Sequence, residues 1–329
     1  MDTVSPTFGP VPSRRLGRSL GINNVPPKTC SYSCIYCQLG WTPTTGVERR
    51  TFHRPEEVMD AVRAQVREAL RRGEEVDHLT FVPDGEPTLD LNLGAEIRAL
   101  KELGVPIAVI TNASLVGRDD VREDLSAANW VSLKVDAVSE AVWRRINRPH
   151  RDLSLTSILA GIRKFSRTFG GILVTETMLA SGVNDHAEEL HRIADFLGEV
   201  RPRVAYLAVP TRPPAEPGVE PPPGERLVAA FSILSAQLSH VELLIGYEGD
   251  AFAASGDARR DLLSIVAVHP MREGAVRKLL ARDGAGGEVV EELVATGTIV
   301  EIEYRGHRFY VRALPGRRQR TEERGDATG

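Results

Sequence analysis

Between about residues 18 and 246, short apolar runs alternate with amphipathic stretches, and this alternation narrows the choice of folds more than any other feature of the chain. The runs at 20–23, 78–83, 106–111, 130–135, 171–178, 203–209 and 240–245 read as strands. Helical patterns separate them. Pro55, Glu56 and Glu57 open one, with Val58, Val62, Val66 and Leu70 on a single stripe. Others run over 93–103, 118–127, 153–168, 185–198 and 224–238. Repeated units of this kind predict a parallel sheet, doubly wound or curled into a barrel. The Pro-rich stretch 210–223 follows a strand and precedes another helix–strand unit, so it reads as a long loop over a barrel mouth.

The pattern shifts near Gly256. Beyond it, 271–282 and 288–295 read as short helices, and 299–304 with 307–312 as a hairpin turning at Arg305-Gly306. Two helices and a hairpin make a winged-helix unit. The polar stretch 315–329 is predicted to be disordered. The expected domains are therefore 1–250 and 257–314, with 315–329 as a tail, and a chain of 329 residues has room for a barrel plus a small appendage. A formal charge of −4 gives no global attraction to nucleic acid or to an anionic membrane. The start MDTVSPTFGP lacks the pattern of a signal peptide, and no apolar run approaches the ~18 residues of a membrane span. A reducing compartment, the cytoplasm, is the expected location.

All three cysteines, Cys30, Cys34 and Cys37, fall in the run KTCSYSCIYCQLG. An odd number makes a poor disulfide framework. Zinc ordinarily takes four ligands, in a second C-x2-C pair or in histidines at short spacing, and the nearest histidine, His53, lies in a separate segment. Thiolates also hold iron–sulfur clusters, ordinarily four of them. Three at C-x3-C-x2-C spacing would leave one iron of a [4Fe–4S] cube open to a substrate or cofactor. The cluster is the leading reading here, with zinc or coincidence still open.

Catalytic groups of parallel barrels gather at the C-terminal ends of strands. The second run ends in Asp84-Gly85-Glu86-Pro87 and the third in Thr111-Asn112. In the fourth, period-two alternation puts Ser132, Lys134 and Asp136 on one face. A lysine and a carboxylate pointing into a barrel need polar partners or a ligand. A wet edge strand or a structural Lys134–Asp136 pair is the lesser alternative. His78 and Thr80 read as barrel filling. Glu86, set between a glycine that permits close backbone approach and a stiffening proline, suits a cationic amine, although the same residues also make an ordinary turn.

Taken together, these motifs resemble the radical S-adenosylmethionine (radical SAM) superfamily. The points of likeness are C-x3-C-x2-C with Tyr36 before the last cysteine, and Asp84-Gly85-Glu86-Pro87 in place of Gly-Gly-Glu-Pro. The likeness covers about 8–246. DGEPTLD and TNASL look like a branch related to the tRNA wyosine synthases, which carry extra cysteines that this chain lacks. The resemblance implies an α/β fold, a partial (β/α)6 TIM-like barrel, with one [4Fe–4S] cluster on Cys30, Cys34 and Cys37. S-adenosylmethionine would chelate the fourth iron. Glu86, displayed by Gly85, would take its amino group, Tyr36 would lie against adenine, and Ser132, Lys134 and Asp136 would address ribose and carboxylate. Asn112 and Asn184 are further candidate contacts. A flavodoxin- or ferredoxin-like donor would supply one electron, and a 5′-deoxyadenosyl radical would abstract hydrogen from substrate.

The substrate is not legible in the sequence. The leading expectation is a macromolecule or metabolite, with a tRNA base as one candidate, and a peptide or protein, including glycyl-radical activation, is the alternative. An iron–sulfur redox regulator is the non-enzyme reading, which would not need the carboxylates and lysine at the strand ends. DNA binding is not expected, because the second C-terminal helix carries Glu288, Glu291 and Glu292 and no basic residue. The basic wing (Arg305, His307, Arg308, Arg312) and the following Arg317, Arg318 and Arg320 could touch RNA, and a winged helix could also capture a peptide by strand addition.

Overall fold

The computed structural model describes residues 6–82, 84–246, 252 and 256–313. The tail expected at 315–329, with Arg317, Arg318 and Arg320, lies outside them. From the N-terminus run β1 (Thr7–Ser13), β2 (Gly17–Ile22), α1 (Pro55–Arg71), β3 (His78–Phe81), α2 (Leu93–Leu100), β4 (Ile107–Thr111) and α3 (Asp119–Ser126). Next come β5 (Trp130–Lys134), α4 (Glu140–Asn147), α5 (Leu155–Thr168), β6 (Ile172–Met178), α6 (Ala187–Val200), β7 (Val204–Ala208), α7 (Gly224–Ser235) and β8 (Val241–Leu244).

The strands form one sheet in sequence order, parallel from β2 to β8, with β1 antiparallel outside β2. A doubly wound sheet reverses its strand order partway, and this one does not. Among the described residues no bond joins β8 to β1, so six βα units and a closing strand make an open mixed α/β arrangement.

The inner strands β3 to β7 are largely buried on both sides, which is why the sequence shows them as apolar runs. Val131 and Leu133 join the main core beneath the helices. The opposite face of the sheet packs Ala108, Trp130, Val174, Val204 and Tyr206 around Leu16. Thr80 fills that interior by bonding Ser19 (Oγ1 to Oγ, 2.7 Å), and His78 Nδ1 lies 2.9 Å from the Leu16 carbonyl. In α1, Val58, Val62 and Val66 are buried, and fully burying a valine contributes about 1.5–3 kcal/mol. Leu70, expected on the same stripe, is 65% exposed, and Ala69 is buried in its place. Steps of four residues advance by about 40° per step along a helix of 3.6 residues per turn, so the stripe drifts off the core by its fourth member.

The chain continues with α8 (Ala258–Val268), β9 (Met271–Arg272), α9 (Glu273–Arg282), α10 (Glu288–Ala295), β10 (Ile299–Tyr304) and β11 (His307–Arg312). The hairpin turns where expected, at Arg305 and Gly306, both with positive φ (50° and 71°), as a tight hairpin turn requires. The helix expected from 271 starts two residues later, because Met271 and Arg272 pair with Tyr310 and Phe309 of β11. Leu262, Ile265, Leu279, Leu293 and Ile299 form a core of their own, joined by Val11 of β1. Tyr304 Oη donates to the Pro210 carbonyl (3.2 Å), and Arg212 Nη2 lies 2.7 Å from His269 Nε2, so this region abuts the 210–223 loop. No helix among the described residues is long and apolar enough to cross a membrane.

Candidate active site

The cysteines sit on the long loop between β2 and α1, at the C-terminal end of the sheet. Tyr32 and Ile35 lie between them and are buried in the main core, against which Cys30 and Cys34 also pack. Tyr32 Oη accepts from Trp143 Nε1 (3.1 Å), and Ile35 N donates to the Ile146 carbonyl (3.0 Å). Ahead of Cys30, Thr29 N closes a turn on the Pro26 carbonyl (3.1 Å) with Lys28 at φ 62°, a conformation a non-glycine residue adopts at a cost of about 1–2 kcal/mol. That turn delivers Lys28 Nζ to the Gly40 carbonyl (2.7 Å) and to within 3.6 Å of Cys37 Sγ.

Two backbone bonds tie this loop to the Glu86 turn: Lys28 N to the Asp84 carbonyl (2.7 Å) and Glu86 N to the Thr29 carbonyl (2.8 Å). A Cβ at Gly85 would stand 2.0 Å from the Thr29 carbonyl oxygen. The glycine expected to face a ligand therefore admits the cysteine loop, and its part in the site is to let those two segments meet. Glu86, 1% exposed, accepts at Oε1 from Thr88 N (3.0 Å), Thr88 Oγ1 (2.6 Å) and Thr111 Oγ1 (2.5 Å). At Oε2 it accepts, among the described residues, from Asn112 N alone (2.7 Å), so that oxygen keeps acceptor capacity. Burial pushes its pKa up, against these donors.

Asn112 also brings Nδ2 to 3.5 Å from Cys30 Sγ and to 3.0 Å from Ser31 Oγ. Tyr36 Oη donates to Asp136 Oδ2, which also accepts from Asn147 Nδ2 (2.7 Å). Asp136 Oδ1 takes Met178 N (2.8 Å). Lys134 Nζ pairs with Glu176 Oε1 (2.8 Å) and stands 4.9 Å from the centre of the Tyr36 ring. Burial opposes its charge, but the carboxylates of Glu176 and Asp136 outweigh it and hold its pKa up at about 12. The Lys134–Asp136 pair, the structural alternative in the sequence, does not form: Lys134 pairs with Glu176, and Asp136 is taken by Tyr36, Asn147 and Met178.

Ser132 lies on the same face and is fully buried, with no partner for its Oγ among the described residues. Asn184 does not belong with these residues. Both Nδ2 protons go to the Asp136 and Met178 carbonyls (2.8 Å each), and Oδ1 accepts from Ala180 N (2.9 Å), which commits the side chain to holding the loop.

The sequence reading missed Asn147, whose Nδ2 also lies 3.4 Å from Cys34 Sγ; it ends a helix that was not predicted. It missed Lys28 and Glu176 as well. Glu176 stands in the polar run Thr175-Glu176-Thr177 at the end of an apolar strand, a signal of the same kind that marked Lys134. The gap lined by Asn112, Lys134, Asp136 and Asn147 is about 10 Å³, no more than a water. A cavity of about 870 Å³ lies elsewhere, between α1, β1 and α8, and none of the predicted site residues lines it.

Do these residues fit a cluster and its cofactor? Among the described residues no three His, Cys, Asp or Glu side chains converge as ligands of one ion, whereas an iron–sulfur cube takes each thiolate on a different iron. All three thiols are free, and each has an amide or ammonium donor near its sulfur. Burial, then Cys34 and Glu86, push Cys30 up. Burial, then Asp136, carries Cys34 to about 12, so a bound cation is what would hold thiolates here. The spare acceptor on Glu86 and the orphaned Ser132 Oγ complete a donor set that fits the implied pair.

Residues 24–197 match the model of the radical SAM superfamily. A UPF0026 protein of Methanocaldococcus jannaschii is 42% identical over 312 residues, 94% of this chain and 97% of that one. Among solved structures, a radical SAM methyltransferase from Sphaerobacter thermophilus superposes with a TM-score of 0.52 at 19% identity, over 69% of this chain and 66% of that chain. TYW1 with a lysine–pyruvate adduct bound superposes at 0.54 and 18% identity, over 68% and 74%. At such identities these two likenesses speak to fold alone. The cysteine loop, the Glu86 turn zipped to it and a family match spanning both have one conclusion: the chain belongs to the radical SAM superfamily.

Proposed function

We propose that the protein is a single-cluster radical SAM enzyme, with Cys30, Cys34 and Cys37 holding three irons of one [4Fe–4S] cluster and S-adenosylmethionine occupying the fourth. The observation that carries this reading is the pair of backbone bonds joining the cysteine loop to the Glu86 turn, which sets a carboxylate acceptor beside three thiols. When bound, the pair supplies one electron to the sulfonium, breaks its bond to the nucleoside carbon, and through that carbon removes a hydrogen atom from substrate, leaving methionine and 5′-deoxyadenosine.

The protein's own groups orient and insulate. Glu86 Oε2 receives the methionine amino group as a charge-assisted acceptor. Tyr36 lies along the adenine, while Ser132, Lys134 and Asp136 face ribose and carboxylate once Lys134 and Asp136 exchange their present partners. Asn112, Asn147 and Lys28 donate toward the three sulfurs, a contact that tunes cluster potential. Tyr32, Ile35 and Trp143 pack behind the loop and keep water from it. A flavodoxin- or ferredoxin-like protein is the electron donor.

Residues 257–314 are read as a winged-helix domain serving substrate capture. The acidic face of α10 argues against a DNA groove. Anaerobically reconstituted protein with dithionite and S-adenosylmethionine is expected to release 5′-deoxyadenosine, and absence of that nucleoside under every reductant overturns the proposal. Deuterium carried into it from labelled tRNA, or instead from labelled peptide, decides between the two substrate readings.

A further inference from the structure

After the last cysteine the chain returns toward α1 and passes under the Glu86 turn. Arg50 N donates to the Leu89 carbonyl (2.9 Å) and Leu91 N to the Arg50 carbonyl (3.2 Å), a parallel bridge between Arg50 and Asp90. Arg49, with its side chain 3% exposed, spreads its guanidinium beneath that bridge. Nε donates to the Thr88 carbonyl (2.9 Å) and Nη2 to the Asp90 carbonyl (2.7 Å). Nη1 reaches Asp120 (2.9 Å) and Nη2 also reaches Asp124, both on α3. A one-turn 3-10 segment, Pro87–Leu89, leaves carbonyls without partners inside it. Arg49 and Arg50 N take those of Thr88, Leu89 and Asp90.

The same Thr88 whose carbonyl Arg49 grips supplies two of the three donors on Glu86 Oε1, its backbone N–H and its hydroxyl. With Oε1 fixed, the direction of Oε2 follows. We propose that Arg49 is a positioning residue for the cofactor's amino group: it fixes the Thr88 peptide, and Thr88 aims the Glu86 carboxylate. This rests on the functional reading above, in which Glu86 receives that amino group. Lysine cannot substitute, because one ammonium cannot span two carbonyls and two carboxylates in the plane that a guanidinium matches.

The test compares wild-type protein with R49Q, R49K, E86Q and R49Q/E86Q after anaerobic reconstitution. Iron per chain and the Kd for S-adenosylmethionine by equilibrium dialysis are the readouts. Arg49→Gln and Arg49→Lys are expected to keep wild-type iron content, since no contact of Arg49 reaches a cysteine, and to weaken cofactor binding about tenfold. In the Glu86→Gln background the Arg49 change should add no further loss, because Arg49 acts through Glu86. Unchanged affinity in either single Arg49 variant, or losses that add in full in the double variant, overturns the inference. Should Arg49→Gln fail to fold, R49K and R49K/E86Q decide it by the same criterion. A wild-type protein that loads iron and binds no S-adenosylmethionine overturns the functional reading instead, a result distinguishable from both.

Discussion

Alanine in place of Cys34 is expected to leave the protein colourless and unable to cleave S-adenosylmethionine. Two thiolates cannot hold a cube that three already hold one short of the ordinary complement. The side chains that hydrogen-bond Cys34, the Asn147 amide and the Tyr36 hydroxyl, are not thiolates and do not replace it. The fold survives the change, because Tyr32 and Ile35 anchor the loop in the core independently of the thiols. Iron per chain, expected near four in the wild type, should fall close to zero while far-ultraviolet circular dichroism stays unchanged. A variant that keeps its full brown colour would contradict the three-ligand assignment.

Glu176→Gln is expected to cost about 3–5 kcal/mol of stability, because it leaves the Arg15 and Lys134 cations facing each other inside the sheet with no carboxylate between them. Burial raises the Glu176 pKa, but Lys134 and then Arg15 dominate and bring it from its ordinary 4.5 to about 2. A depressed carboxylate stabilises the fold above its unfolded value and loses that contribution as pH falls through its folded one. Lys134 is raised from 10.5 to about 12, so its share is intact below 10.5 and is lost as pH rises through 12. The triad therefore contributes fully between about pH 4.5 and 10.5. Urea midpoints measured from pH 7 down to pH 2 should show wild type losing more than the variant between pH 4.5 and 2. Equal midpoints at pH 7 would mean that the triad is not coupled to folding.

The parallel strands were legible because strands buried on both faces must be apolar throughout, and the intervening helices because their stripes face the sheet. β1 was not, since Pro10 and Pro12 disguise it, and prolines are tolerated there only because the strand lies at an edge. Lys134 and Asp136 were recognisable as inward-facing from their alternation. Their partners were not, because choosing between Asp136 and Glu176 for Lys134 depends on the register of β5 against β6. Gly85 was noticed for its missing Cβ and assigned the wrong neighbour: only the path of the cysteine loop reveals that Thr29 occupies the space. Arg49 carries no motif at all, since its role exists only once two loops and α3 converge.

The most direct measurement is Mössbauer spectroscopy of the 57Fe-reconstituted cluster, recorded before and after S-adenosylmethionine is added. One iron of the four should change its isomer shift when the sulfonium compound arrives, while the three under cysteine stay as they were. Four irons that all ignore the compound, or zinc in place of iron on those thiols, would contradict the account.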